Sequence, residues 1–97
     1  MDDTKRVDIN NRSLWTGDIV VIKYNDRHST RFFCDVGIIQ YNIVNCQFYI
    51  LCKYGVQVEF ADVGYIKIID RMCNHNGKTM QDVLDLYQDE WKKCEWG

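Results

Sequence analysis

The chain contains no proline, although an average usage of about 5% would place several in 97 residues. This absence excludes proline-rich linkers and polyproline ligands. Long hydrophobic runs are also missing, because no apolar stretch approaches the roughly 18 residues that span a bilayer. The first six residues are polar and lack the apolar segment of an export signal. We therefore expect a cytoplasmic protein.

Positive charge is not in excess either. The chain has 12 Lys and Arg residues against 14 Asp and Glu residues, a net charge of -2 at pH 7. A general nucleic-acid or membrane-surface binder needs a basic face, so the overall balance disfavours both classes. A local basic patch remains open as an alternative.

Pairs of closely spaced cysteines are missing as well. No Cys-x-x-Cys pair occurs, and the count of five cysteines is odd, which favours reduced and mostly buried thiols over a disulfide framework. Cys73 and His75 are the right residue types for half of a zinc site, but no second half is evident. We predict no metal and no cofactor.

Apolar residues make up 46% of the chain and aromatic residues 13%, enough for one hydrophobic core. Residues 1–13 are polar and mixed in charge, which predicts an N-terminal tail that frays. Residues 14–97 then form a single domain. Within it, β-branched and alternating apolar segments predict five short strands, over residues 19–24, 34–41, 46–53, 56–60 and 65–69.

A C-terminal helix over about residues 80–94 follows the predicted strands. Thr79 and Asp82 have the spacing of a capping box at its start. Its apolar residues fall on one stripe: Met80, Val83, Leu84, Tyr87, Trp91 and Cys94. The predicted fold is mainly β with one C-terminal α-helix, arranged as a small five-stranded barrel that the helix caps.

Residues 11–20 read Asn-Arg-Ser-Leu-Trp-Thr-Gly-Asp-Ile-Val. This segment resembles the one that opens the β-barrel of YopX-like phage proteins, and residues 37–41 and 48–50 resemble the strands that follow there. The resemblance covers roughly residues 11–50. It implies a phage or prophage origin and an SH3-like barrel, but no established reaction and no functional residue.

Catalytic patterns are weak throughout the sequence. Cysteine catalysis needs a thiolate beside a base, and no local spacing supports such a pair. No glycine-rich phosphate loop and no His-Glu-x-x-His pattern occurs. We therefore predict that the protein is not an enzyme.

The leading functional hypothesis is protein binding through the acidic face of the helix. Residues 80–97 carry five acids and two lysines, a net charge of -3. Five residues are candidate contacts: Asp82, Asp85, Asp89, Glu90 and the aromatic Trp96. With the resemblance, this predicts a phage or mobile-element accessory protein in the host bacterial cytoplasm. It would bind a host or phage protein, for example to inhibit a defence system such as a CRISPR-Cas nuclease; a homodimer is left open.

The alternative hypothesis is a nucleic-acid-binding barrel. Small barrels grip single strands with loops that offer cations and aromatic rings. Five residues at the end of the first predicted strand and in the loop that follows it fit that role: Tyr24, Arg27, His28, Arg31 and Phe32.

Overall fold

The structure is a computed structural model that describes residues 2–26, 28 and 30–93. It is mainly β with one C-terminal α-helix, as predicted. The elements are β1 (Asp3–Val7), β2 (Ser13–Trp15), β3 (Asp18–Asn25), β4 (Phe32–Asn42), β5 (Gln47–Cys52), β6 (Gln57–Glu59), β7 (Val63–Arg71) and α1 (Met80–Leu86). Single turns of 3-10 helix follow β5, β6 and β7, and a fourth lies over Glu90–Lys93.

Five antiparallel strands form the main sheet, in the order β6-β5-β4-β3-β7. All five correspond to strands predicted from the sequence. Strand β3 lies beside both β4 and β7, and its residues 18–22 are fully buried. Its sequence is apolar at consecutive positions, which is typical of a strand whose two faces are both covered.

The sheet is not closed into a barrel, so this part of the predicted architecture is not found. Strands β6 and β7 are the two edges of the main sheet, and no pairing joins them among the described residues. A 3-10 helix over Phe60–Asp62 separates them. Strand β6 has only three residues, and among the described residues it pairs with β5 alone.

The prediction of a fraying tail over residues 1–13 is wrong, because β1 lies there and pairs antiparallel with β2. The segment that joins them covers the free edge of β7. The amide of Ile9 donates to the carbonyl of Ile66 at 2.8 Å. Asp8 accepts the amide of Ile68 at 3.1 Å and the Arg12 guanidinium at 2.9 Å. Specific polar contacts, and not an apolar pattern, order this segment.

Asp8 is almost completely buried. Burial alone would raise the pKa of its carboxyl group, but hydrogen bonds from Arg12 and from backbone amides, including that of Ile68, outweigh it and lower the pKa. Arg12 also donates to the carbonyl of Ile68 at 2.8 Å. The pair therefore stays charged while it holds the N-terminal segment on β7.

Two hydrophobic clusters lie on opposite faces of the main sheet, and alternate residues of β3 supply both. One cluster contains Leu14 of β2 beside the sheet residues Val20, Ile22, Ile39, Ile50, Cys52, Val58 and Ile68. The other contains Val83 and Leu84 of α1 beside Ile19, Val21, Val36 and Ile38. The β1–β2 hairpin thus covers one face and the helix covers the other.

The capping box at the start of the helix is confirmed, since Thr79 accepts the amide of Asp82 and the Asp82 carboxylate accepts the amide of Thr79. The helix itself is shorter than predicted and ends at Leu86. No residue from 88 to 90 is buried, so packing does not stabilise a further turn of α-helix. The chain resumes as a 3-10 helix at Glu90, and Cys94 lies outside the described residues.

Candidate functional site

The acidic residues predicted on the helix are exposed, but each has a partner within the chain. Asp82 belongs to the capping box. Asp85 lies 3.2 Å from the ammonium of Lys53, and Asp89 lies 3.2 Å from that of Lys92. These carboxylates therefore serve the local structure of the helix and its attachment to the turn after β5.

The other two candidates near the helix are placed differently. Glu90 is half-buried in the last 3-10 helix and takes part in contacts within the chain. Trp96 lies outside the described residues. Two apolar side chains, Met80 and Leu86, are exposed on α1 beside the acids.

The structure brings several residues of the alternative hypothesis to one end of the main sheet. Tyr24 is the last residue but one of β3, Phe32 begins β4, and His28 lies in the loop between the two strands. Phe32 is 59% exposed and Phe33 is 41% exposed. The rings of Tyr24 and Phe33 lie 5.8 Å apart between centroids, and the Lys23 ammonium lies 5.3 Å from the centre of the Phe32 ring.

Arg31 is exposed at this end of the sheet and makes contacts within the chain, whereas Arg27 lies outside the described residues. The basic component of the predicted nucleic-acid surface is therefore described only in part.

A groove of about 310 Å³ lies between this loop and β6, and we call it the Tyr24 groove. Tyr24, Val56 and Val58 are the apolar residues that line it, and Val58 is almost completely buried in the core beneath. Exposed His28 also lines it. Mixed apolar and polar linings of this kind are typical of recognition sites.

Three carboxylates line the same groove. Asp26 comes from the β3–β4 loop, Glu59 ends β6, and Asp62 lies in the 3-10 helix that follows. No lysine or arginine occurs among the described residues that line it. The described lining therefore carries three acidic side chains.

The pKa of Tyr24 reflects this environment. Burial of the ring raises the pKa of its hydroxyl, and neighbouring negative charges, including the carboxylates of Asp35 and Asp26, raise it further. Burial likewise raises the pKa of the Cys52 thiol, which keeps it protonated and unreactive.

A second polar cluster was not predicted from the sequence, and it joins β7, the following loop and the helix. His75 Nε2 lies 2.8 Å from Asp70 Oδ2 and 3.1 Å from the Tyr87 hydroxyl. Tyr87 donates a hydrogen bond to Asp70, and Asn74 donates to the other carboxylate oxygen at 2.8 Å. Tyr87 is 17 residues away from Asp70 in sequence, so local spacing gives no signal of their contact.

These hydrogen bonds perturb the titration of both partners. The bonds from Tyr87, Asn74 and His75 lower the pKa of Asp70 well below its usual range. The bond to Asp70 raises the pKa of Tyr87 to about 12. The Asp70 cluster, which we define as Asp70, Asn74, His75 and Tyr87, thus stabilises a carboxylate anion at the junction of helix and sheet.

Cys73 and His75, considered above as half of a zinc site, lie in different environments. Cys73 is exposed, and the ring of His75 belongs to the Asp70 cluster, where it contacts the Asp70 carboxylate. Across residues 2–26, 28 and 30–93, no group of three or more His, Cys, Asp or Glu side chains is arranged to hold a metal ion.

No protein-family model, curated protein or solved structure matches this chain. The resemblance to YopX-like proteins therefore stays a prediction. In the described part of the chain, no helix has both the length and the apolar character needed to cross a bilayer.

Proposed function

We propose that the protein is a non-enzymatic protein-binding module. Its contact surface is the Tyr24 groove together with the neighbouring ring of Phe33. The observation that carries the proposal is the exposed ring of Phe33, whose centroid lies 5.8 Å from that of Tyr24, a residue that lines the groove. Aromatic side chains dominate the binding energy of protein interfaces, and apolar patches on a small domain often mark such interfaces.

The groove is a better candidate than the acidic face of the helix. Asp82, Asp85 and Asp89 each have a contact within the chain, and a partner would have to compete with it. The groove instead combines concave shape with apolar walls, which allow a partner to bury surface.

The groove also favours a protein partner over a nucleic acid. Tyr24 and His28, two residues of the alternative hypothesis, share it with Asp26, Glu59 and Asp62. Three carboxylates disfavour a phosphate backbone, since nucleic-acid affinity comes mainly from cations that neutralise phosphates.

The biological setting rests on the resemblance alone. The sheet order supports the SH3-like fold that it implies, because β3 to β6 form a meander and β7 returns to β3 after a 3-10 helix. On that basis we propose a phage or mobile-element accessory protein of the bacterial cytoplasm. Its target would be a host protein, for example a nuclease of a defence system such as CRISPR-Cas.

Capture from bacterial lysate with tagged protein tests the proposal, with and without nuclease. We expect a stoichiometric protein that survives nuclease and is lost with the double variant Phe32→Ala and Phe33→Ala. The matched control is Ile43→Ala with Val44→Ala, which removes two exposed apolar side chains from the tip of the β4–β5 hairpin. Partners must be retained by this control.

Other outcomes overturn specific parts of the proposal. Loss of the partner only on reversing Asp82, Asp85 and Asp89 to lysine would move the contact surface to the helix. Recovery of nucleic acid, lost with Arg27→Ala and Arg31→Ala, would replace protein binding by the nucleic-acid alternative.

A further inference from the structure

We propose that Asn76 is a site of spontaneous deamidation and that the isoaspartyl product loosens His75 from the Asp70 cluster. The reaction needs only water as a co-reactant. The inference is independent of the proposed protein-binding function, because it concerns the loop between β7 and α1.

Asn76 lies in this loop at the centre of a turn. Of the asparagines in the chain, only Asn76 is followed by a glycine. The carbonyl of His75 accepts the amide of Lys78 at 3.2 Å, so Asn76 and Gly77 are the two central residues of the turn. The φ of Gly77 is 84°, which is typical of the third residue of a type II turn and is adopted by glycine without strain. The turn therefore favours a glycine directly after this asparagine.

Both reacting groups are accessible. Asn76 and Gly77 are exposed, and within the described part of the chain neither the Asn76 side chain nor the Gly77 amide makes a hydrogen bond. No atom lies within 4 Å of the position that a Cβ atom would take at Gly77, so the backbone nitrogen is not shielded. Asparagine is also among the thermolabile residues of proteins.

The reaction takes place in two steps. The backbone nitrogen of Gly77 attacks the Cγ atom of Asn76, the bond from Cγ to Nδ2 breaks, and the side-chain nitrogen leaves as ammonia with the proton of the Gly77 amide. Water then opens the resulting succinimide ring at one of its two carbonyl carbons. Opening at Cγ gives aspartate, and opening at the main-chain carbonyl gives isoaspartate. No oxidant or reductant is needed, and the loop gains one negative charge.

The isoaspartyl product changes the path of the main chain. Its backbone runs through the side chain of residue 76, which inserts one additional carbon atom into the turn. The bond from the Lys78 amide to the His75 carbonyl then loses its spacing. His75 is also the residue whose ring lies 2.8 Å from the Asp70 carboxylate. We therefore expect a displaced His75 backbone to draw its ring away from Asp70.

Incubation of the full chain in mildly alkaline buffer at physiological temperature tests the site. Digestion and mass spectrometry locate each exchange of an amide NH₂ for OH, and labelling by an isoaspartyl methyltransferase identifies isoaspartate. The control within the chain is Asn45, which is exposed but accepts the amide of Gln47 at 3.1 Å and precedes Cys46. We expect conversion at Asn76 to be roughly tenfold faster than at Asn45, because glycine leaves the attacking nitrogen open.

Two variants separate the consequences of the reaction. Asn76→Gln keeps a side-chain amide but would have to form a larger ring, so incubation should leave it unchanged. Asn76→Asp has the new charge without the additional main-chain carbon. In NMR spectra, we expect the incubated native chain to show shifted ring signals of His75. Asn76→Asp and incubated Asn76→Gln should both retain the ring signals of the fresh protein.

Each part of the inference has an outcome that would overturn it. Equal conversion at Asn76 and Asn45, or no isoaspartate at Asn76, would exclude the site. The same shift of the His75 signals in Asn76→Asp would assign the effect to charge and not to the longer main chain. The same shift in incubated Asn76→Gln would place the chemical change at another residue.

Discussion

The hydroxyl of Tyr87 donates a hydrogen bond to the carboxylate of Asp70, which fastens the end of the helix to the last strand of the sheet. His75 and Asn74 donate to, or contact, the same carboxylate. The contact has direct consequences for stability, because a carboxylate without its donors would keep its charge but lose its stabilising partners.

Replacing Tyr87 by phenylalanine is expected to lower the free energy of unfolding by about 1 kcal/mol, since a bond to a charged but partly exposed group is lost. Urea denaturation measures the change. Tyr54→Phe is the matched control, because the side chain of Tyr54 is 86% exposed. Equal unfolding midpoints for the two variants would contradict a stabilising role for the Tyr87 hydroxyl.

The same contact predicts how stability depends on pH. The folded-state pKa of Asp70 lies below its ordinary value of 3.8, so its stabilising contribution is complete above that pH and is lost as the pH falls further. We expect Asp70→Asn to flatten the acid side of a plot of unfolding free energy against pH. Asn74→Ala, which removes one of the donors, should give an intermediate slope. An unchanged slope in Asp70→Asn would exclude this residue as a source of acid sensitivity.

Gly37 of β4 is expected to tolerate no side chain. An added Cβ atom would collide with the side chain of Ile50 and lie 3.1 Å from the carbonyl oxygen of Leu51. Gly37→Ala should therefore cost about 1–3 kcal/mol through overpacking. At Gly64 of β7 the nearest atom to such a Cβ lies 4.0 Å away, so Gly64→Ala is the control. Similar thermal midpoints for both variants would argue that the sheet relaxes around residue 37.

The contact between Asp8 and Arg12 predicts a local effect at the edge of β7. Asp8→Ala removes the acceptor of Arg12 and of the Ile68 amide together. We expect faster hydrogen exchange at Ile9 and Ile68, because the segment that covers β7 opens more often. Lys5→Ala, at a residue with an exposed side chain, should leave both rates unchanged. Protection that persists at Ile68 in Asp8→Ala would show that backbone pairing alone holds the segment.

The strands of the main sheet could be predicted because short-range patterns in the sequence indicate which of their residues are buried. The continuous apolar run from Ile19 to Ile22 and the Thr79–Asp82 spacing depend on neighbours in sequence. Strand β1 carries no such pattern, since only Thr4 among its residues is buried. Its order comes from pairing with β2 and from the Asp8 contacts. Closure of the barrel was predicted wrongly, because strand number and loop length do not determine whether the two edge strands meet.

The candidate site was predictable only in part for the same physical reason. Tyr24 and His28 are only four residues apart, and the sequence indicated that they belong together. Glu59 and Asp62 reach the groove from about thirty residues further on, and this changes its charge. Asp70 and Tyr87 likewise meet only after the helix packs on the sheet. Contacts between distant segments depend on tertiary packing, which local spacing does not encode.

The position of β3 between β4 and β7 also constrains the order of folding. On one side β3 pairs with β4, the next strand in the chain; on the other, Ile22 pairs with Ile66 of β7. Closing the long loop between them costs chain entropy that the β3–β4 hairpin does not incur, so the hairpin can form early and β7 must arrive late. Until β7 pairs, one edge of β3 has no neighbouring strand. A growing chain on the ribosome stays in this condition until Arg71 has emerged.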